Sequence, residues 1–141
     1  MSVDHGADAV LRRAAQSSGK VVNGLESFDF QLAMFAALPS ARDDGQGANA
    51  HPGDVLQEMK AAWKRGDSAR FATVLHHVER QSPEIYRRMF VERNARWAQW
   101  VARRMERPGV VFVAVGAGHL IGRDSVQQRL TEQGFKSVRV S

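Results

Sequence analysis

The 141-residue chain contains no cysteine, which excludes disulfide bonds and thiolate chemistry. It also lacks any apolar run near the ~20 residues that cross a bilayer, so we predict no membrane span. The first residues do not combine a basic segment with an apolar one. We therefore predict no secretory signal in this chain; as given the chain would be cytoplasmic, and its localisation is left open.

The positive charge of the chain is not gathered into long basic blocks. The formal net charge is +5, but arginines occur as pairs beside acidic or apolar neighbours. The pairs are Arg12-Arg13, Arg87-Arg88 and Arg103-Arg104. Such pairs are typical of solvated helix faces, and no zinc-finger, RNP-type or basic-zipper pattern is present. We expect no nucleic-acid partner.

Hydrophobic periodicity predicts a helix-rich α/β domain over residues 1–141. Helical spacing covers residues 8–17, 27–38, 52–63, 68–78, 83–104 and 124–132. Short β-branched runs predict strands at residues 20–23, 110–115 and 135–140. The order predicts a small, mostly parallel sheet of about three strands that ends in a β-α-β unit. An α/β sheet usually has ~5 strands, so part of the sheet is expected to be missing from the chain.

The second predicted strand, residues 110–115, is followed by a glycine-rich turn that ends in a histidine, Gly116-Ala117-Gly118-His119. Glycines at these positions let the chain bend sharply and approach another group closely. His119 would lie at the carboxyl end of a strand, where open α/β sheets place ligands, and could bind a metal or move a proton. The alternative is a surface or capping histidine.

Two other polar positions are candidates for the same site. Glu26 follows the first predicted strand and should face the same sheet edge as His119, although it could instead cap the next helix. Arg93 and Asn94 fall within an apolar helix stripe, so they need buried partners such as Glu26 or the glycine turn. The alternative for Arg93 is a partly exposed side chain that lies over Trp97.

Five segments in order resemble the TraB/GumN family, which is related to the Tiki-type metalloproteases. They are residues 22–27 (VNGLES) with Gln31, 63–67 (WKRGD), 92–97 (ERNARW), 112–122 (FVAVGAGHLIG) and the ending after Gly134-Phe135. The resemblance implies an α/β domain with a metal-dependent hydrolase site. The family builds that site from two G-x-x-H motifs and acidic residues.

The resemblance assigns roles residue by residue. His119 matches the histidine of the second G-x-x-H motif, and Glu26 matches the acid of the "GLE" segment; both are implied as ligands of a divalent ion such as zinc, manganese or cobalt. Glu26 is also implied as a general base, with Arg93 and Asn94 as the buried polar pair of the catalytic site. Gly116 and Gly118 would form the turn beside a peptide or protein substrate.

The chain departs from the family pattern because it has no first G-x-x-H segment. It is therefore interpreted as the C-terminal half of the family domain, inactive alone and completed by an N-terminal half or by self-association. The alternative is a non-catalytic protein-interaction module or a truncated remnant. Relatives in the family are often exported.

Overall fold

The structure, a computed structural model, describes residues 6–36 and 52–140. They fall into two compact units, the first ending at residue 33 and the second beginning at residue 34. Each unit is described by itself.

The described residues are organised as helices joined by turns and extended segments. The helices are α1 (Ala7–Ser17), α2 (Phe28–Ala36), α3 (Pro52–Lys64), α4 (Ser68–Gln81), α5 (Pro83–Tyr86), a π-helical turn (Arg87–Val91), α6 (Glu92–Met105), a 3-10 turn (Ala117–Leu120) and α7 (Val126–Glu132). The helical regions predicted from periodicity are thus found, except for residues 37–38, which lie outside the described residues. None of the described helices is long and apolar enough to cross a membrane.

Helix ends follow local capping rules. Ser27 begins α2 by accepting a hydrogen bond from the Phe30 N–H at 3.2 Å, and Asp67 begins α4 by accepting from the Arg70 N–H at 2.9 Å. Gly66 ends α3 with φ +65°, the left-handed conformation that glycine adopts without strain. These local signals account for the agreement between predicted and observed helices.

The predicted α/β class is wrong for the described residues, which contain no strand and no sheet. Residues 20–23, 110–115 and 135–140 are neither helical nor paired in a ladder, so the predicted parallel sheet and the C-terminal β-α-β unit are absent there. Val110 is 97% exposed and Val140 is 91% exposed. A β-branched sequence fits a pleated, half-buried surface, and without a neighbouring strand residues 110–115 have no ladder hydrogen bonds and are at most partly buried.

The core of the second unit lies where α3 and α4 meet the 3-10 turn. Its buried centre is made by Ala62, Phe71 and Leu75. Partly buried apolar side chains surround this centre, namely those of Met59, Phe90, Ala117 and Ile121. The core therefore fixes the 3-10 turn against α4 and against the π-helical turn.

The π-helical turn aligns two polar side chains of the long helical segment. Tyr86 and Asn94 are eight residues apart, and at ~100° per α-helical residue they would point ~80° apart. A π turn accommodates one extra residue. The eight-residue separation of Tyr86 and Asn94 then corresponds to seven α-helical residues, and their side-chain directions differ by only ~20°. Both side chains bind Asp124.

Asp124 ties this segment to α7. The Tyr86 hydroxyl donates to Asp124 Oδ2 at 3.3 Å, and the Arg129 guanidinium donates to Oδ1 at 2.5 Å. The Asp124 carbonyl accepts from Asn94 Nδ2 at 2.7 Å. Burial, followed by the charge of Asp124 and its hydrogen bond, raises the pKa of Tyr86 to about 12.

We predict that Tyr86, the only tyrosine of the chain, ionises near pH 12 in the folded protein. Below its ordinary pKa of 10.0 both folded and unfolded states are protonated. As pH rises further the unfolded state releases the proton first, so stability falls until the folded pKa is passed. Phenolate absorbance measures this titration without interference, and Tyr86→Phe should abolish that pH dependence. A folded-state pKa near the ordinary value would contradict the burial of Tyr86 beside Asp124.

We also predict that Gly118→Ala destabilises the second unit. An added Cβ would lie 2.8 Å from Phe90 Cε1, and Phe90 is packed against the core. Overpacking of this kind costs about 1–3 kcal/mol. Gly116→Ala is the matched control, because its Cβ would meet nothing closer than His119 Cδ2 at 3.8 Å. Denaturant unfolding of both variants measures the difference, and equal effects would contradict the close approach at residue 118.

Candidate functional site

The glycine turn directs His119 inward. Residues 117–120 form one 3-10 turn in which the His119 N–H donates to the Gly116 carbonyl at 2.9 Å. His119 is consequently only 8% exposed. The backbone of the turn lies directly against the Phe90 ring at Gly118, because glycine has no side chain there.

Two aromatic rings and one amide surround the His119 imidazole. Its ring centroid lies 4.4 Å from that of Trp97 and 5.2 Å from that of Phe90, at interplanar angles of 47° and 46°. The Nδ1 atom lies 2.6 Å from Asn94 Oδ1. The ring is thus held in position by α6 and by the π-helical turn.

Asn94 is the most deeply buried large side chain of the described residues, at 1% exposure. Its amide spans two parts of the chain, because Oδ1 meets His119 and Nδ2 donates to the Asp124 carbonyl. Buried amides are tolerated when their atoms are hydrogen-bonded. Asn94 therefore joins the glycine turn to the segment before α7.

Arg93 brings a buried cation to the same helix. It is 8% exposed, its guanidinium lies 4.8 Å from the Trp97 ring centroid, and it donates to the Met89 carbonyl at 3.3 Å. The position over Trp97 is that of a cation–π contact. Trp97 Nε1 is buried and has no hydrogen-bond partner among the described residues. The α6 face beside His119 thus presents a cation and an indole N–H.

The structure brings together most of the residues selected from the sequence. His119, Asn94 and the glycines lie in one region of the second unit, and Arg93 reaches the same region through Trp97. Glu26 is half-buried and belongs to the first unit. Its meeting with His119 and its role as a ligand or base stay predictions.

Sequence reasoning missed Asp124 and Tyr86. Asp124 precedes Ser125, which caps α7 by accepting from the Gln128 N–H, so the pair has the appearance of an ordinary helix start. In a regular α-helix Tyr86 would point ~80° away from Asn94, and only the π-helical turn brings the two side chains to the same side. No residue pattern in a single sequence marks that turn.

The described residues do not make a complete metal site. No group of three or more histidine, aspartate or glutamate side chains in ranges 6–36 and 52–140 could hold an ion. Catalytic zinc usually takes three protein ligands, and the Asn94 amide and the Trp97 and Phe90 rings that contact His119 are not ligands of that kind. His119 is the one predicted ligand of the second unit.

No solved structure matches this chain. Among curated proteins, the uncharacterized protein YbaP of Escherichia coli (strain K12) is 31% identical over 134 residues, which cover 92% of this chain and 49% of the relative. YbaP of Shigella flexneri matches with the same identity and coverage. The chain thus spans about half the length of the curated relatives it matches.

A family model provides the broader comparison. The model described as the TraB/PrgY/gumN family matches residues 1–139, so the match extends through the whole chain and includes both described units. The segments that suggested this family from the sequence all lie within the match. The chain belongs to the TraB/PrgY/gumN family.

Proposed function

We propose that this chain carries part of a hydrolase site with His119 at its centre. The observation that supports this most directly is the fixed burial of one imidazole by Asn94, Trp97 and Phe90 on a glycine turn. A histidine whose ring is held by its neighbours can donate a lone pair or move a proton without first being ordered. The segment that holds it is the one that most closely resembles the family signature.

The proposed cofactor is a divalent ion, zinc, manganese or cobalt, with His119 as its ligand in the second unit. The described residues contain no three-ligand group, and the further ligands of the proposed site would lie outside ranges 6–36 and 52–140. A second copy of the chain, or a complementary N-terminal half, would supply them. The length of the curated relatives, about twice the matched region, supports this proposal.

Arg93 is proposed to face the reacting group of a peptide or protein substrate. Its guanidinium is buried beside Trp97, in surroundings where a charge acts more strongly than it does in water. A cation in such a place stabilises the negative charge that develops on a carbonyl oxygen during acyl transfer. Asn94 acts on the same site through His119.

A non-catalytic interaction module is the second candidate. The observation in its favour is that the contacts of His119 with Asn94 and Trp97 also hold the glycine turn against α6. Such contacts would be retained for stability alone. The two candidate functions differ in one prediction: replacing His119 lowers metal affinity if the chain carries part of a hydrolase site, and leaves it unchanged if the chain is an interaction module.

We predict that the purified chain binds about one divalent ion, and that His119→Ala and His119→Gln lower its affinity by about tenfold or more. Elemental mass spectrometry after incubation with zinc, manganese or cobalt, followed by removal of excess ion, gives the metal content. His76→Ala is the matched control, since His76 is exposed and paired with Glu79. Circular dichroism of each variant reports whether it is folded.

Metal that is lost from folded His119 variants and kept in His76→Ala would support the proposal. Metal content that is unchanged in folded His119 variants would overturn the role of His119 as a ligand, and metal that is absent from the wild-type chain would overturn completion of the site by a second copy of the chain. In either of those cases a lower melting temperature of His119→Ala would favour the interaction module.

A further inference from the structure

Hydrogen-bond direction around Asn94 is fixed by the Asp124 carbonyl. A carbonyl oxygen only accepts, and it lies 2.7 Å from one end of the Asn94 amide. That end must therefore be the NH₂ group, Nδ2. The other end, which faces His119, must be the oxygen.

The same reasoning extends to the imidazole. Asn94 Oδ1 only accepts, and it lies 2.6 Å from His119 Nδ1. Nδ1 must therefore carry a hydrogen. In neutral histidine the hydrogen occupies one ring nitrogen, so the lone pair lies on Nε2. Turning the amide over would set its oxygen against the Asp124 carbonyl, and these two buried acceptors would then face each other without a hydrogen bond.

We infer that Asn94 is a positioning residue that selects the Nδ1–H tautomer of His119, so that Nε2 is the nitrogen that the site uses. That Nε2 is used rests on the proposed function, whereas the tautomer itself does not. The orientation of the amide depends on Asp124, whose side chain is held by Tyr86 and Arg129. The tautomer is thus set by contacts that begin outside the glycine turn.

The order Asp124–Asn94–His119 also explains why an amide occupies this position in α6. A leucine of similar size would fill the space but could neither donate to the carbonyl nor accept from the imidazole. An aspartate could accept from Nδ1–H but would set a carboxylate oxygen against the Asp124 carbonyl. Asparagine alone offers a donor and an acceptor at the spacing that both partners require.

The test is ¹⁵N NMR of the chain labelled at histidine nitrogens, with a chelator present, at about pH 8, where an ordinary histidine is neutral. His119→Gln identifies the His119 signals by their loss. In the wild-type protein we expect a pyrrole-type shift for Nδ1 and a pyridine-type shift for Nε2. In Asn94→Ala and Asn94→Leu we expect Nδ1 to move toward the pyridine-type value, because free imidazole side chains favour the Nε2–H form.

Gln99→Ala is the matched control, since it removes an exposed amide from the same helix. It should leave the His119 shifts unchanged, and the shifts of His76 and His77 should not move in any variant. A pyridine-type Nδ1 in the wild-type protein overturns the inference without any variant having to fold. Unchanged His119 shifts in a folded Asn94→Ala protein overturn it as well.

The outcome is separable from that of the proposed function. Nδ1–H in a protein that binds no metal would leave the tautomer assignment standing and remove the hydrolase proposal. An Nε2–H tautomer in a protein whose metal content falls in the His119 variants would remove the tautomer assignment and leave the hydrolase proposal standing.

Discussion

The Asn94 amide is the constraint on which the rest of the second unit depends. It donates to the Asp124 carbonyl and lies in hydrogen-bond contact with His119 Nδ1, so one buried side chain joins α6, the glycine turn and the start of α7. At 1% exposure the Asn94 side chain is out of reach of bulk water. Losing one contact would leave a buried polar atom unpaired, which costs about 1–3 kcal/mol.

The π-helical turn is what allows this arrangement within one continuous helical segment. By taking up an extra residue, it sets Tyr86 on the Asn94 side, so that the side chain and the carbonyl of Asp124 are both bound. The same turn carries Phe90 to the His119 ring and to the bare backbone of Gly118. Irregular helical turns of this kind occur frequently at functional sites.

The sequence predicted the helices because their starts and stops are local, as at Ser27, Asp67 and Gly66. It failed for the sheet, because a strand needs a neighbour and residues 110–115 have none among the described residues. Arg93, Asn94 and His119, which the sequence marked as candidates because polar residues in an apolar stripe require partners, lie in one region of the second unit, whereas their roles stay predictions. Asp124 could not be selected, because its contacts depend on tertiary packing and on the π-helical turn.

A double-mutant cycle between Asn94 and His119 tests the account most directly. Unfolding free energies of Asn94→Ala, His119→Ala and the double variant give the coupling between the two side chains. The account predicts a coupling of about 1 kcal/mol or more, because the second substitution removes a contact that the first has already broken. Additive effects would mean that the two side chains act independently, and they would contradict the hydrogen bond that holds His119 in place.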